Sequence, residues 1–222
     1  MKTPGKIALV HATLAAVQPM VAAFRRQMPD AALLHFLDEG LLPQVEREGL
    51  SEAAVAEVER LVRRAVEAGA EGVLLTCSAY SPAVPAVQSR CAVPVVSVDE
   101  AMLRRALLHG SRIGVIATVE AAGPTTAKLL QDFAREAGRS IEVTVRTVPA
   151  AFNALKRDDT TLHDALIRAE IEALVSTCDA VVLAQISMAR AIVGAPPYAK
   201  PVLTSPESAI RAIGERLQRI ER

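Results

Sequence analysis

The most reactive side chains in this 222-residue chain are three cysteines, Cys77, Cys91 and Cys178. Their odd number and the absence of a CxxC pair argue against a disulfide framework and against a zinc site, so each is either a buried filler or a reactive thiol. Cys77 stands out by its neighbours. In VLLTCSAYSP it lies between Thr76 and Ser78, where an apolar run ends and a helix is expected to begin. A thiol flanked by hydroxyls at such a junction suits nucleophilic or proton-transfer chemistry. His11 ends the first apolar run and could orient a substrate or act as an acid/base, or be satisfied by backbone. His35, His109 and His163 have no metal-ligand spacing, so no metal site is expected.

These residues need elements to position them. Short β-branched runs alternate with longer amphipathic stretches: Ile7 to His11, Ala31 to Phe36, Gly72 to Cys77, Val93 to Val98, Ile113 to Thr118, Ile141 to Val148, Ala180 to Gln185 and Pro201 to Thr204. This is the βαβα pattern of a parallel sheet covered by helices, an α/β fold. Between strands, Ser51 is placed to cap the helix EAAVAEVERLVRRAVEAG, Gly69 to end it, and Glu59 and Arg63 to pair one turn apart.

The two halves repeat. IALVHAT from Ile7 resembles IGVIAT from Ile113, AEGVLLTCS from Ala70 aligns with CDAVVLAQI from Cys178, and PVVSVDEAMLR from Pro94 aligns with PVLTSPESAIR from Pro201. Three matches in one order, at an offset of about 107, indicate an internal duplication. The expected architecture is two pseudo-symmetric lobes, each a parallel sheet flanked by helices. Residues 1–98 with 206–222 form the first lobe, the C-terminal helix packing back onto it, and residues 99–205 form the second. Ligands of open parallel sheets bind beyond the carboxyl ends of the strands, which places the expected active site in a cleft between the lobes. One wall would carry His11-Ala12-Thr13, Thr76-Cys77-Ser78 and Val98-Asp99-Glu100. The other would carry Thr118-Val119-Glu120, Ala184-Gln185-Ile186-Ser187 and Ser205-Pro206-Glu207.

Composition narrows the function. Acidic and basic residues number 25 each, hydrophobic residues make up 51% and aromatics only 3% with no Trp, which points to neither a nucleic-acid nor a membrane partner. GVLLTCS and GVIAT lack the glycine spacing of a phosphate loop, which disfavours nucleotide binding. MKTPGKIALVHA enters a strand pattern at once, too short an apolar run for a signal peptide or spanning helix, so a cytoplasmic protein is expected.

With the duplication, the TCS strand end and a second-lobe strand of the form DAVVLxxxxMA, the chain resembles the aspartate/glutamate/hydantoin racemase superfamily over essentially its whole length. VLLTCSAYSP and CDAVVLAQISMARA are the most specific segments. The resemblance implies an enzyme without cofactor that works at the α-carbon of a small carboxylate, and a homo-oligomer. In that family two cysteines flank a planar carbanion or enolate, one removing the α-proton and one returning it. Cys77 matches the first, and a helix N-terminus there would favour its thiolate. Where the family has L-G-C, this chain has Leu183-Ala184-Gln185. An amide cannot exchange a proton near neutral pH. Cys178, seven residues earlier and roughly 20 Å away at strand rise, is assigned to the core or the start of its strand. Cys91 reads as structural.

The resulting expectation is one-thiol chemistry of isomerase or decarboxylase type with Cys77 as the catalytic residue. The alternative is a catalytically impaired small-carboxylate binding protein on the same scaffold. His11, Thr13, Thr76, Ser78, Thr118, Gln185 and Ser187 are the candidate substrate-binding residues, several of which could instead be ordinary helix caps or solvated side chains. Glu100 is an accessory candidate, as general base or as a first-turn partner of the helix dipole.

Overall fold

The computed structural model describes residues 5–220. The chain divides into two compact units: the first runs to Glu100 and takes the chain back from Pro206, and the second is Ala101–Ser205.

The first unit is built on strands β1 (Lys6–His11), β2 (Ala32–Leu37), β3 (Gly72–Leu75) and β4 (Val95–Ser97). They pair in parallel in the order β2-β1-β3-β4. β1 and β3 are apolar without alternation because helices cover both faces of the sheet, leaving Ile7, Ala8, Leu9 and Val10 fully buried. On one face Ala8, Val10, Val73, Leu75 and Val95 pack with residues of α2 (Leu41–Glu48), α3 (Glu52–Glu67) and α4 (Val84–Gln88). α3 keeps Ala54, Val58, Val62 and Ala65 inward, the i, i+4, i+8, i+11 stripe of an amphipathic helix. The Ser51 hydroxyl accepts from the Ala54 N–H at its start, and Gly69, at φ 88°, follows its end. Glu59 pairs with Arg63 at 3.4 Å and with Arg90 at 2.8 Å. On the other face, a Cβ at Gly72 would sit 3.1 Å from Ile213 of α9 (Ser205–Ile220), so a glycine lets that helix lie close on the sheet.

The second unit repeats this plan with β5 (Arg112–Ala117), β6 (Glu142–Thr147), β7 (Ala180–Leu183) and β8 (Val202–Thr204), parallel in the order β6-β5-β7-β8. Val115, Ala117, Val182 and Leu203 pack with Met102 and Leu103 of α5 (Glu100–Ala106) and Leu130 of α6 (Ala122–Glu136). Ile116, Val181 and Leu183 pack with Ala151 of α7 (Pro149–Lys156) and Ile167, Ile171 and Leu174 of α8 (Thr160–Val175). Cys178 is buried in this second cluster just before β7, as a small apolar side chain.

Every strand expected from the sequence forms, each within two residues of its expected ends. Among the described residues no helix is long and apolar enough to cross a membrane, and no group of three or more His, Cys, Asp or Glu could hold a metal ion.

Candidate active site

In the first unit the carboxyl ends of β1, β3 and β4 carry the reactive groups. Thr76 and Cys77 follow β3 in extended backbone, and a 3-10 segment, Ser78–Ala83, leads on into α4. Cys77 is half-buried and packs on the cluster that contains Tyr80 and Ala83. The sequence reading put it at a helix N-terminus that would favour the thiolate, and the structure reverses that. Burial pushes the thiol up to about 12, with the Asp99 carboxylate and Glu46 adding to the rise, while the N–H groups of Ala79 and Tyr80 at the sulfur oppose it without prevailing. Cys77 therefore rests as a protonated thiol at neutral pH, a proton donor before it is a base.

His11 is fully buried at the end of β1, and both its ring nitrogens are engaged. Nδ1 lies 2.8 Å from Thr76 Oγ1, and Nε2 lies 3.0 Å from Nδ1 of His35, whose ring stacks on it with centroids 5.3 Å apart. The Thr76 hydroxyl also reaches the Val10 carbonyl at 3.0 Å. A hydroxyl has one proton, which fixes a direction: Thr76 donates to Val10, His11 Nδ1–H donates to Thr76, and His35 Nδ1–H donates to His11 Nε2. Burial and the neighbouring His35 lower His11 to about 4, so it is a neutral imidazole at pH 7. His11 thus orients Thr76, and contact with a substrate would require it to give up one of these bonds. Thr13, half-buried in extended backbone before the 3-10 turn Leu14–Ala16, makes no side-chain capping bond.

Next to Cys77 in the chain, Ser78 joins a polar cluster centred on Asp99, which the sequence placed on the same wall without giving Asp99 a role. Asp99, after β4, is 1% exposed. Ser78 and Ser81 both hydrogen-bond its carboxylate, Ser81 Oγ at 3.3 Å from Oδ2. Ser81 Oγ lies 2.5 Å from Ser97 Oγ, which accepts from the Asp99 N–H at 3.1 Å. Burial raises Asp99 to about 6 against the pull of the two serines. The acid to notice in Val98-Asp99-Glu100 is the first one. Glu100 opens α5 half-buried and reaches Arg216 of α9 at 3.3 Å. The available signal was three serines and an aspartate bracketing two strand ends, but which of them meet depends on how β4 lies against β3.

In the second unit the strand ends are differently furnished. Gln185, at the position of Cys77, turns its carbonyl onto Thr118, accepting from the backbone N–H at 2.6 Å and from Oγ1 at 3.0 Å. Thr118 is buried, and Ser187 is half-buried in the 3-10 segment Ile186–Ile192. By register the His11, His35 and Thr76 positions are Ala117, Val145 and Ala184, and Asp99 corresponds to Pro206. The polar chain and the buried acid belong to the first unit alone.

Comparison with known proteins agrees with this plan. A family model described as Asp/Glu/Hydantoin racemase matches residues 7–213. A glutamate racemase of Trichodesmium erythraeum is 33% identical over 94 residues, which are 42% of this chain and 34% of that protein, so the match spans about a third of the relative's length. The aspartate racemase of Picrophilus torridus superposes with a TM-score of 0.74 at 13% identity, covering 97% of this chain and 94% of the other. A substituted arylmalonate decarboxylase does so at 0.65 and 19% identity, covering 97% and 94%. At such identities these two structures show the fold.

Proposed function

This chain belongs to the Asp/Glu/hydantoin racemase family, and from that premise we propose that it is an isomerase-like enzyme acting without a cofactor at the α-carbon of a small carboxylate through one thiol, Cys77. The observation that carries this reading is a half-buried cysteine kept protonated beside Thr76 and Ser78 at the end of β3, while Gln185 occupies the corresponding position of the second unit. A protonated thiol delivers a proton to carbon. In a decarboxylation, the bond to the departing carboxylate breaks, carbon dioxide leaves, and the electron pair stays on the α-carbon, delocalised into the remaining acyl group. The Cys77 proton then bonds to that carbon, and solvent reprotonates the thiolate. In an isomerisation the same thiol shuttles a proton on a single face. Inversion by two bases needs a second acid/base, which an amide cannot be. Thr13 and Ser187 hydroxyls and the amide donors of Gln185 would contact the substrate, with Glu100 an accessory group; Thr76, Ser78 and Thr118, whose hydroxyl protons go to Val10, Asp99 and Gln185, would each give up such a bond to donate to it.

The test is deuterium incorporation from heavy water, or mass loss, across amino acids, hydantoins, malonates and unsaturated diacids, followed by mass spectrometry. Cys77→Ala should abolish the change and keep the fold, and Gln185→Cys should add racemisation. Turnover that survives Cys77→Ala would refute the one-thiol reading. Ligand-induced thermal stabilisation with no chemistry in any compound would mean a binding protein on this scaffold.

A further inference from the structure

Thr76 is the first residue past the β1–β3 pairing, which ends at Val10 and Leu75. Both of its donors close on the Val10 carbonyl, the N–H at 3.0 Å and Oγ1 at 3.0 Å. The second unit repeats the backbone bond, with the Ala184 N–H 2.9 Å from the Ile116 carbonyl, but alanine brings no hydroxyl. Behind the Thr76 hydroxyl stands His11 at 2.8 Å, and behind His11 stands His35 at 3.0 Å, where the second unit has Ala117 and Val145. Since β2, β1 and β3 are neighbours in the sheet, the side chains of His35, His11 and Thr76 strap three strand ends together. The sister sheet reaches the same plan without such a strap, so the fold does not require it. It lies on the sheet that carries Cys77, one residue before the thiol.

The outer member of the strap decides the state of the rest. His11 is fully buried and its Nε2 faces His35, whereas His35 is exposed on the edge strand. The tautomer of an imidazole is set by the bond that its other nitrogen makes. A proton donated by His35 Nδ1 leaves His11 Nε2 bare and places the His11 proton on Nδ1, which donates to Thr76 and leaves the Thr76 proton for Val10. In the opposite tautomer Thr76 would donate to His11, and its oxygen would stand 3.0 Å from the Val10 carbonyl with no proton between them. We propose that His35 is a positioning residue: through the tautomer of His11 it locks Thr76 onto β1 and so holds Cys77 at the end of β3.

This inference rests on reading Cys77 as the acting thiol, but it can be tested without turnover. Nitrogen NMR of the histidine-labelled protein reads the tautomer, and the wild type should show His11 protonated at Nδ1 and bare at Nε2. Two variants separate the hydrogen bond from packing. His35→Phe keeps a flat ring against His11 but has no donor, while His35→Asn gives up the ring and places an amide N–H near the position of Nδ1. His35→Phe should lose the Nδ1–H tautomer. Its Thr76 amide should exchange with solvent about three- to tenfold faster, and Cys77 should be alkylated by iodoacetamide faster by a like factor, as the loss of one hydrogen bond eases local opening. The labelled peptide is identified by mass spectrometry so that Cys91 does not contribute. His35→Asn should return all three to wild-type values. An Nε2–H tautomer of His11 in the wild type overturns the proposal, and that measurement stands even where a variant does not fold. Wild-type values in His35→Phe overturn it as well, and so do equal losses in both variants, which would assign the effect to the ring rather than to the donor. Failure of the functional reading looks different: turnover then survives Cys77→Ala while His11 keeps its tautomer and Cys77 alkylation still responds to His35→Phe.

Discussion

His11 and Asp99 should make opposite contributions to the pH dependence of stability, and their near-cancellation is a sharp test of the buried polar groups. His11 is fully buried and its folded value is about 4 against an ordinary 6.5. The unfolded chain therefore takes up a proton near pH 6.5 that the folded chain refuses, and stability is lost as pH falls from 6.5 toward 4. At roughly 1.4 kcal/mol per pH unit this amounts to about 3 kcal/mol. Asp99 is raised from 3.8 to about 6, so the folded chain takes up its proton first. Stability is then gained as pH falls through 6 toward 3.8, again by about 3 kcal/mol. Between pH 7 and 4.5 the wild type should change little on account of this pair. Asp99→Asn should lose about 2–3 kcal/mol over that interval, because only the His11 penalty remains. His11→Ala, which installs the residue the second unit has at Ala117, should instead gain about 2 kcal/mol over the same interval, whatever cavity it leaves. Urea unfolding at pH 7.0 and 4.5, followed by circular dichroism, gives each difference. Parallel pH dependences in the three proteins would refute the reasoning, since they would mean that neither group titrates differently in the folded chain.

Two further outcomes follow from the strand ends and caps. Gln185→Ala removes the acceptor for both Thr118 groups and leaves a buried N–H unpaired, which should cost about 1–3 kcal/mol in urea unfolding. Ser51→Ala removes the hydroxyl that accepts from Ala54 and should cost about 1 kcal/mol, with no effect on Cys77 alkylation.

The sequence by itself determined the elements and their plan. Alternation of apolar runs with helical stripes is a local property, and it located all eight strands of the described residues, the Ser51 cap, the Gly69 stop and the Glu59–Arg63 pair. The duplication pointed to two like sheets, and strand rise alone separated Cys178 from Gln185. Only the tertiary structure decided what each reactive group is. The thiol next to a helix start reads as activated from sequence, but its protonation depends on how much water and charge surround the sulfur, and burial with Asp99 outweighs two backbone amides. His35 looked idle because its partner is 24 residues away. Parallel pairing of β1 and β2 in one register sets it over His11, and a one-residue slip would turn it to the other face of the sheet. Gln185, open in sequence to a substrate or to water, is tied at its carbonyl to Thr118, a residue 67 positions away that only the β5–β7 pairing brings near. Spacing along the chain encodes which residues share a strand end. Burial and long-range pairing decide where the protons sit, and those are properties of the packed fold.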